Sequence, residues 1–299
     1  MDYKKINTYL GWLIFIIATT VYFMTLEDSV SLWDCGEYVT AAYKLEVGHP
    51  PGAPLFMVLG RLASFFADPE NVAVWINRLS ALSSSATILF MFWSITLLVK
   101  KMILRTKEEL ETGDKIAIFG SAVVGSLAYT FSESFWFSAV EGEVYAMSSL
   151  FTAIIFWAAL KWDEEMIRVQ KGKLVPKSVS PDRWMLLIMF MLGLAVGVHL
   201  LGILVVPAIA YIVYFRYNGI SSKFFQIYIG VAIFSAVVGI FKMGNGAGDI
   251  FGEIIKQGVV LGILYGLFLW SRSQKIIEFL LVGLMSIVLL SFIQDGVIT

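Results

Sequence analysis

The chain has 299 residues, 58% of them hydrophobic and 15% charged, with a formal net charge of −1 and a mean hydropathy of +0.79. That composition excludes an ordinary soluble domain, and the near-neutral charge offers no electrostatic footing for a nucleic-acid partner. A single cysteine, Cys35, excludes an internal disulfide. Apolar runs long enough to cross a ~30 Å hydrocarbon core recur along the chain, so the expected fold class is an all-α polytopic membrane protein.

Lys4 and Lys5 precede the first apolar run, which spans about 8–26. It is long for the h-region of a signal peptide and no A-x-A site follows, so an uncleaved anchor is expected. A dense polar segment, 31–55, comes next. Residues 53–67 are apolar but short and contain Arg61. Further membrane helices are expected at about 72–99, 116–135, 144–161, 184–200, 202–216, 224–241, 254–271 and 275–294. That makes about nine spans, and 1–299 reads as one transmembrane domain. An exported domain beyond the last span is the segment such a chain would lack.

Charge orients the spans. With the N-terminus in the cytoplasm, the loops at 100–115, 161–183, 216–223 and 272–275 hold most of the lysine and arginine, whereas Lys44, Arg61, Arg78, Lys242 and Lys256 fall outside. This is the positive-inside pattern. Trp33, Trp75 and Trp136 fall at the outer interface; Trp12, Trp93, Trp157, Trp162, Trp184 and Trp270 fall near the inner one. Because span 1 leaves and the helix at 72–99 returns, 53–67 cannot cross as well. It is expected to lie along the outer surface, and 34–46 is a second such helix in an outer loop covering 27–71.

Chemistry-bearing residues gather on that outer side. Asp34 and Glu37 are three apart, so a helix would put them on one face. The pair suits a general base for a hydroxyl or a divalent cation, and a solvated loop accounts for it too. His49-Pro50-Pro51-Gly52 makes a rigid turn that aims the imidazole; phosphate binding, a proton relay or a simple helix start all fit. Arg61 and Arg78 suit a phosphate or snorkelling to headgroups. Glu141, Glu143 and Tyr145 form a second outer patch. On a regular helix the two carboxylates would point roughly 200° apart, so at most one is expected to face a shared site. His199 lies between Gly197 and Gly202, where an ionisable group is expected to face the bundle interior; a satisfied packing histidine fits as well. Walker, G-x-S-x-G, H-E-x-x-H and C-x-x-C motifs are absent from the sequence, and 244–248 (G-N-G-A-G) reads as a turn.

Four motifs occur in order: W-D-C-G-E (33–37), G-H-P-P-G-A-P-L (48–55), V-E-G-E-V-Y (140–145) and G-V-H-L (197–200). Together they resemble a bacterial membrane family catalogued as domain of unknown function 2723, related to transmembrane protein 260-type protein O-mannosyltransferases. The resemblance covers most of the first ~220 residues. It implies a GT-C-like helical bundle with two membrane-parallel helices in the first outer loop. It also implies transfer of a sugar, mannose above all, from a polyprenyl-phosphate donor to an exported protein or glycan. By position Asp34 would be the base and Glu37 its support or a metal ligand. His49, Arg61, Arg78 and His199 would grip the donor phosphate, while Glu141, Glu143 and Tyr145 would orient sugar or acceptor. The implied location is the bacterial inner membrane with the site facing the periplasm. Family members run on into further helices and a large exported domain. A transporter or lipid flippase, and a non-catalytic envelope scaffold, are the competing classes; the first would need a polar path at mid-depth.

Overall fold

The computed structural model describes residues 2–50, 52–170, 172 and 180–218. Among them every regular element is helical: α1 (Tyr3–Met24), α2 (Cys35–Lys44), α3 (Pro54–Ser64), α4 (Val72–Ile103), α5 (Thr112–Thr130), α6 (Glu133–Val140), α7 (Val144–Gln170), α8 (Asp182–Val196) and α9 (Val205–Asn218), with 3-10 turns at Pro69–Asn71 and Leu200–Leu204. The chain divides into two compact units, Met1–Val205 and Val206–Thr299. The expected spans at 224–241, 254–271 and 275–294 lie outside the described residues.

Among the described residues, four helical stretches are long and apolar enough to cross a membrane, and five if α5 and α6 count as one bent span. The protein is therefore an all-α polytopic membrane protein. α4 is the axis of the first unit, packing on α1, α5, α6 and α7, while α8 packs on α7. Its interior faces carry small hydroxyl residues rather than bulk. Ser83, Ser85 and Thr87 are buried and donate back to the carbonyls of Leu79, Ala81 and Ser83 at 2.8, 2.8 and 2.9 Å. Those bonds satisfy the hydroxyls within the helix and let neighbouring backbones approach. A core of Ala18 and Tyr22 from α1, Ile88 and Phe92 from α4, Ile118 from α5 and Phe135 from α6 closes one side. The Tyr22 hydroxyl donates to the Thr130 carbonyl at 2.9 Å, tying α1 to the end of α5.

The differences from the expected elements have local causes. The run at 116–135 ends at Thr130, and the chain turns by 64° into α6. Ser132 takes an extended conformation there, and its hydroxyl donates to the Tyr129 carbonyl at 2.8 Å. A polar, backbone-competing residue stops one helix and starts the next. α7 continues past 161 to Gln170 because its polar end makes its own ion pairs, Lys161–Glu164 and Arg168–Glu164 at 2.9 and 3.3 Å. Lys100 also reaches Glu164, at 3.0 Å. α3 has 11 residues, which at 1.5 Å each reaches about half the hydrocarbon thickness, so it cannot span.

Candidate active site

The first unit has two chemically different ends. Lys100 and the α7 ion pairs lie at the C-terminal end of α4. The carboxylates and imidazoles of the expected site gather at its N-terminal end, roughly 35 Å away by helix rise.

α2 starts at Asp34, whose carbonyl accepts the first helical bond, from the Tyr38 amide at 2.9 Å. The Asp34 side chain makes no capping bond and stays available. One turn on, Glu37 holds His49 in two places: Oε1 accepts from the His49 amide at 2.6 Å, and Oε2 lies 3.1 Å from Nδ1. These contacts hold the Glu37 carboxyl below its usual pKa, the backbone bond first and the imidazole second. The other ring nitrogen, Nε2, lies 3.9 Å from Asp34 Oδ2 and 3.4 Å from the Tyr38 hydroxyl. Burial, then the charges nearby, pushes the Tyr38 phenol up to about 12, so it remains a protonated donor.

The turn that delivers His49 is conformationally demanding. Gly52 donates back to the His49 carbonyl at 2.8 Å with φ 87°, and Ala53 follows at φ 40°. Trp33 and Leu45, at the two ends of α2, also have positive φ, which non-glycine residues adopt only when their surroundings impose it. α3 is anchored by a bond from the Leu55 amide to the Gly197 carbonyl at 2.7 Å, which joins the first loop to the His199 turn.

The second patch is not helical. Glu141 is extended, with φ −118° and ψ 155°, and the chain turns at 141–143 before α7 begins. The helical argument that only one carboxylate could face the site therefore does not apply, and both Glu141 and Glu143 are buried on the inner side. Glu141 accepts a short bond from the Ser31 hydroxyl, and burial raises its pKa. Glu143 is 6% exposed. Burial first, then the charges of Glu141 and Asp34, raises it to about 7, with His49 opposing. Gly142 is required between them: a Cβ would stand 2.8 Å from Asn77 Oδ1 and 3.0 Å from Val39 Cγ2. Asn77, fully buried, donates to the carbonyls of Glu27 and Ser29 at 2.8 and 2.9 Å. The Glu27 amide donates to the Val140 carbonyl at 3.2 Å. The first loop is thus stitched to the second patch through α4.

His199 caps the 3-10 turn. Its Nδ1 accepts from the Leu201 amide at 3.1 Å, so in the neutral ring Nε2 carries the proton and is a donor. Burial, then the charge of His49, lowers its pKa. Its ring stands 5.5 Å from that of Tyr145. Tyr145 also lines a cleft of about 570 Å³ that runs between α4 and α7 past Thr87, Ser94, Ser148 and Thr152 to Leu201.

The structure thus brings together Asp34, Glu37, His49, Glu141, Glu143, Tyr145 and His199, through contacts or charges that act on one another. It does not bring in Arg61 or Arg78. Arg61 donates to the Tyr43 carbonyl at 2.6 Å and covers the Tyr43 and Phe65 rings at 5.0 and 4.9 Å. Arg78 lies over Trp75 at 4.7 Å, in an apolar groove with Phe23, Phe66 and Leu82. One residue is about 100° of helix, so while Asn77 faces Gly142, Arg78 faces elsewhere. Sequence reasoning missed Ser31 and Tyr38 as site residues and did not assign Asn77. Tyr38 carried a readable signal, four residues after Asp34 and so on its face. Asn77 carried another, as a lone amide in an apolar helix.

Comparison with known proteins supplies a family. The model of the protein O-mannosyl-transferase TMEM260 N-terminal domain matches residues 34–222, a segment holding all seven clustered residues. Protein O-mannosyl-transferase tmem260 of Dictyostelium discoideum is 29% identical over 147 residues, 48% of this chain and 16% of that protein. Protein O-mannosyl-transferase TMEM260 of Mus musculus is 26% identical over 164 residues, 54% of this chain and 20% of its own length. The matched segment is thus a fifth or less of these relatives' length. No solved structure matches. The motifs, the helical fold and the family match converge: the chain belongs to the family defined by the N-terminal domain of the TMEM260-type protein O-mannosyl-transferases.

Proposed function

We propose that the protein is a membrane glycosyltransferase of GT-C type that moves a sugar, mannose in the first instance, from a polyprenyl-phosphate donor to a hydroxyl on an exported protein. The observation that carries this reading is the convergence of Asp34, His49, Glu143, Tyr145 and His199 at one end of an apolar helical bundle, within the segment matched to that family. A transporter would be expected to place such groups at mid-depth.

In this reading Asp34, uncapped and half exposed, takes the proton of the acceptor hydroxyl. The acceptor oxygen bonds to the anomeric carbon as the bond from that carbon to the phosphate oxygen breaks, and polyprenyl phosphate leaves with the electron pair. His199, a fixed Nε2–H donor, and the Tyr145 hydroxyl are placed to stabilise that phosphate. The cleft that Tyr145 shares with α4 and α7 is suited to the first isoprene units of the tail. The basic end, with Lys100, Lys101, Lys161 and Arg168, faces the cytoplasm by the positive-inside rule, which puts the site on the outer face, periplasmic if the source is bacterial.

The test is transfer of radiolabelled mannose from polyprenyl-phosphate-mannose to exported protein in membranes carrying the chain. Asp34→Asn is expected to lower transfer by about 10²–10⁴-fold, the range of a positioned base, with insertion unchanged. Normal transfer by that variant would remove Asp34 as the base, and no transfer by the wild-type chain to any hydroxyl acceptor would remove the reading.

A further inference from the structure

The contacts of His49 leave one electrostatic problem unresolved. Glu37 accepts from the His49 amide and lies against Nδ1, so in a neutral ring the proton sits on Nδ1. Nε2 then presents its lone pair to Asp34 Oδ2, 3.9 Å away. Two lone pairs facing each other repel, and the Tyr38 hydroxyl at 3.4 Å is a long and weak mediator. Ligating atoms of Asp34, Glu37 and His49 all lie within 4.8 Å of one another. Glu143 gives an independent sign that a cation is wanted here. It is 6% exposed, its carboxylate has no hydrogen-bond or ion-pair partner among the described residues, and it lies close enough to Asp34 and His49 for their charges to act on it. Neither Arg61 nor Arg78 supplies the balancing charge, since each is stacked on aromatic rings elsewhere.

We propose that one divalent cation of the Mg²⁺ or Mn²⁺ class binds between Asp34 Oδ2 and His49 Nε2, with Glu37 as the carboxylate that orients the imidazole and Glu143 as the buried counter-charge. The 3.9 Å gap admits an ion held at about 2.1 Å from each atom. Carboxylates with one imidazole favour a hard or borderline ion over a soft one. A carboxylate on the far nitrogen of a ligating histidine fixes its tautomer and raises its basicity. Glu37 is placed to do that. The cation would leave Asp34 Oδ1 free. Its role rests on the transferase reading: it would offset the negative charge of a lipid-phosphate donor entering a site rich in carboxylates.

Binding and transfer are measured separately, on the purified full chain in nanodiscs after EDTA treatment. Mn²⁺ titration is followed by loss of the aquo-ion signal in electron paramagnetic resonance, with pulsed detection of an imidazole nitrogen. The expected result is one Mn²⁺ per chain with a nitrogen coupling. His49→Gln and Asp34→Asn should abolish the site, and Glu37→Gln should weaken it about 10–100-fold, the usual cost of a lost outer-shell carboxylate. Glu111→Gln, at the N-terminus of α5, should bind as wild type. Absence of stoichiometric Mn²⁺ binding would overturn the site, as would binding that survives both ligand substitutions or a His49 found doubly protonated at pH 7.5. Mannose transfer in EDTA by a chain that binds no Mn²⁺ would overturn the cation alone and leave the transferase standing. One Mn²⁺ with nitrogen coupling on a chain that transfers no sugar would support the site and count against the transferase.

Discussion

At the scale of single residues, Glu143 is where environment most changes chemistry. Burial and neighbouring carboxylates lift it from an ordinary 4.5 to about 7. Between those values the folded chain holds a proton that the unfolded chain releases, so stability falls as pH rises through about 4.5 to 7. In chelating buffer, the melting temperature of the wild type relative to Glu143→Gln is expected to drop between pH 5 and pH 8. Glu143→Gln should be the more stable protein at pH 8, by on the order of 3 kcal/mol at most. A difference between wild type and Glu143→Gln that stays constant over this range would show that the Glu143 carboxyl is not raised. Gly142 beside it is a steric requirement. Gly142→Ala would put a methyl 2.8 Å from Asn77 Oδ1. It is expected to reduce mannose transfer at least tenfold while circular dichroism stays helical.

At the scale of elements, the site is an assembly of loops held by helix-borne polar groups. Asn77 on α4 ties down 27–29, and the 27–140 backbone bond joins that segment to the turn before α7. Asn77→Ala leaves two carbonyls without a partner. It should cost about 1–3 kcal/mol, read as a lower melting temperature in detergent, and should reduce transfer beyond what the stability loss explains. Tyr22→Phe removes the bond from α1 to the end of α5. It should cost only about 1 kcal/mol and leave transfer unchanged, because Tyr22 fixes α1 rather than the loops. Equal effects from the two substitutions would mean that the stitching at Asn77 is ordinary packing.

For the whole molecule, the separation of a carboxylate–imidazole end from a lysine-rich end predicts a sided protein. In a Cys35→Ala background, Lys44→Cys is expected to react with a membrane-impermeant maleimide in intact cells, and Lys107→Cys only after permeabilisation. The opposite pattern would invert the orientation and put the site in the cytoplasm. Lys44 ends α2, and Lys107 sits on the loop before α5, bound to Asp114 at 3.0 Å, so each reports one end.

Hydropathy made the class, most helix positions among the described residues and the shortness of α3 readable, because a span needs a fixed length of apolar residues. The residue types of the site were readable too: Asp34, Glu37 and His49 stand out in so apolar a chain. Helical periodicity could not foresee that Glu141 and Glu143 both turn inward, since it holds only where the chain is helical and Gly142 breaks it. Nor could spacing reveal that Glu37 grips His49, or that Arg61 and Arg78 stack on Tyr43 and Trp75 instead of joining the cluster. Those outcomes depend on which faces of α2, α4 and the 49–53 turn meet. Packing between segments far apart in sequence decides that.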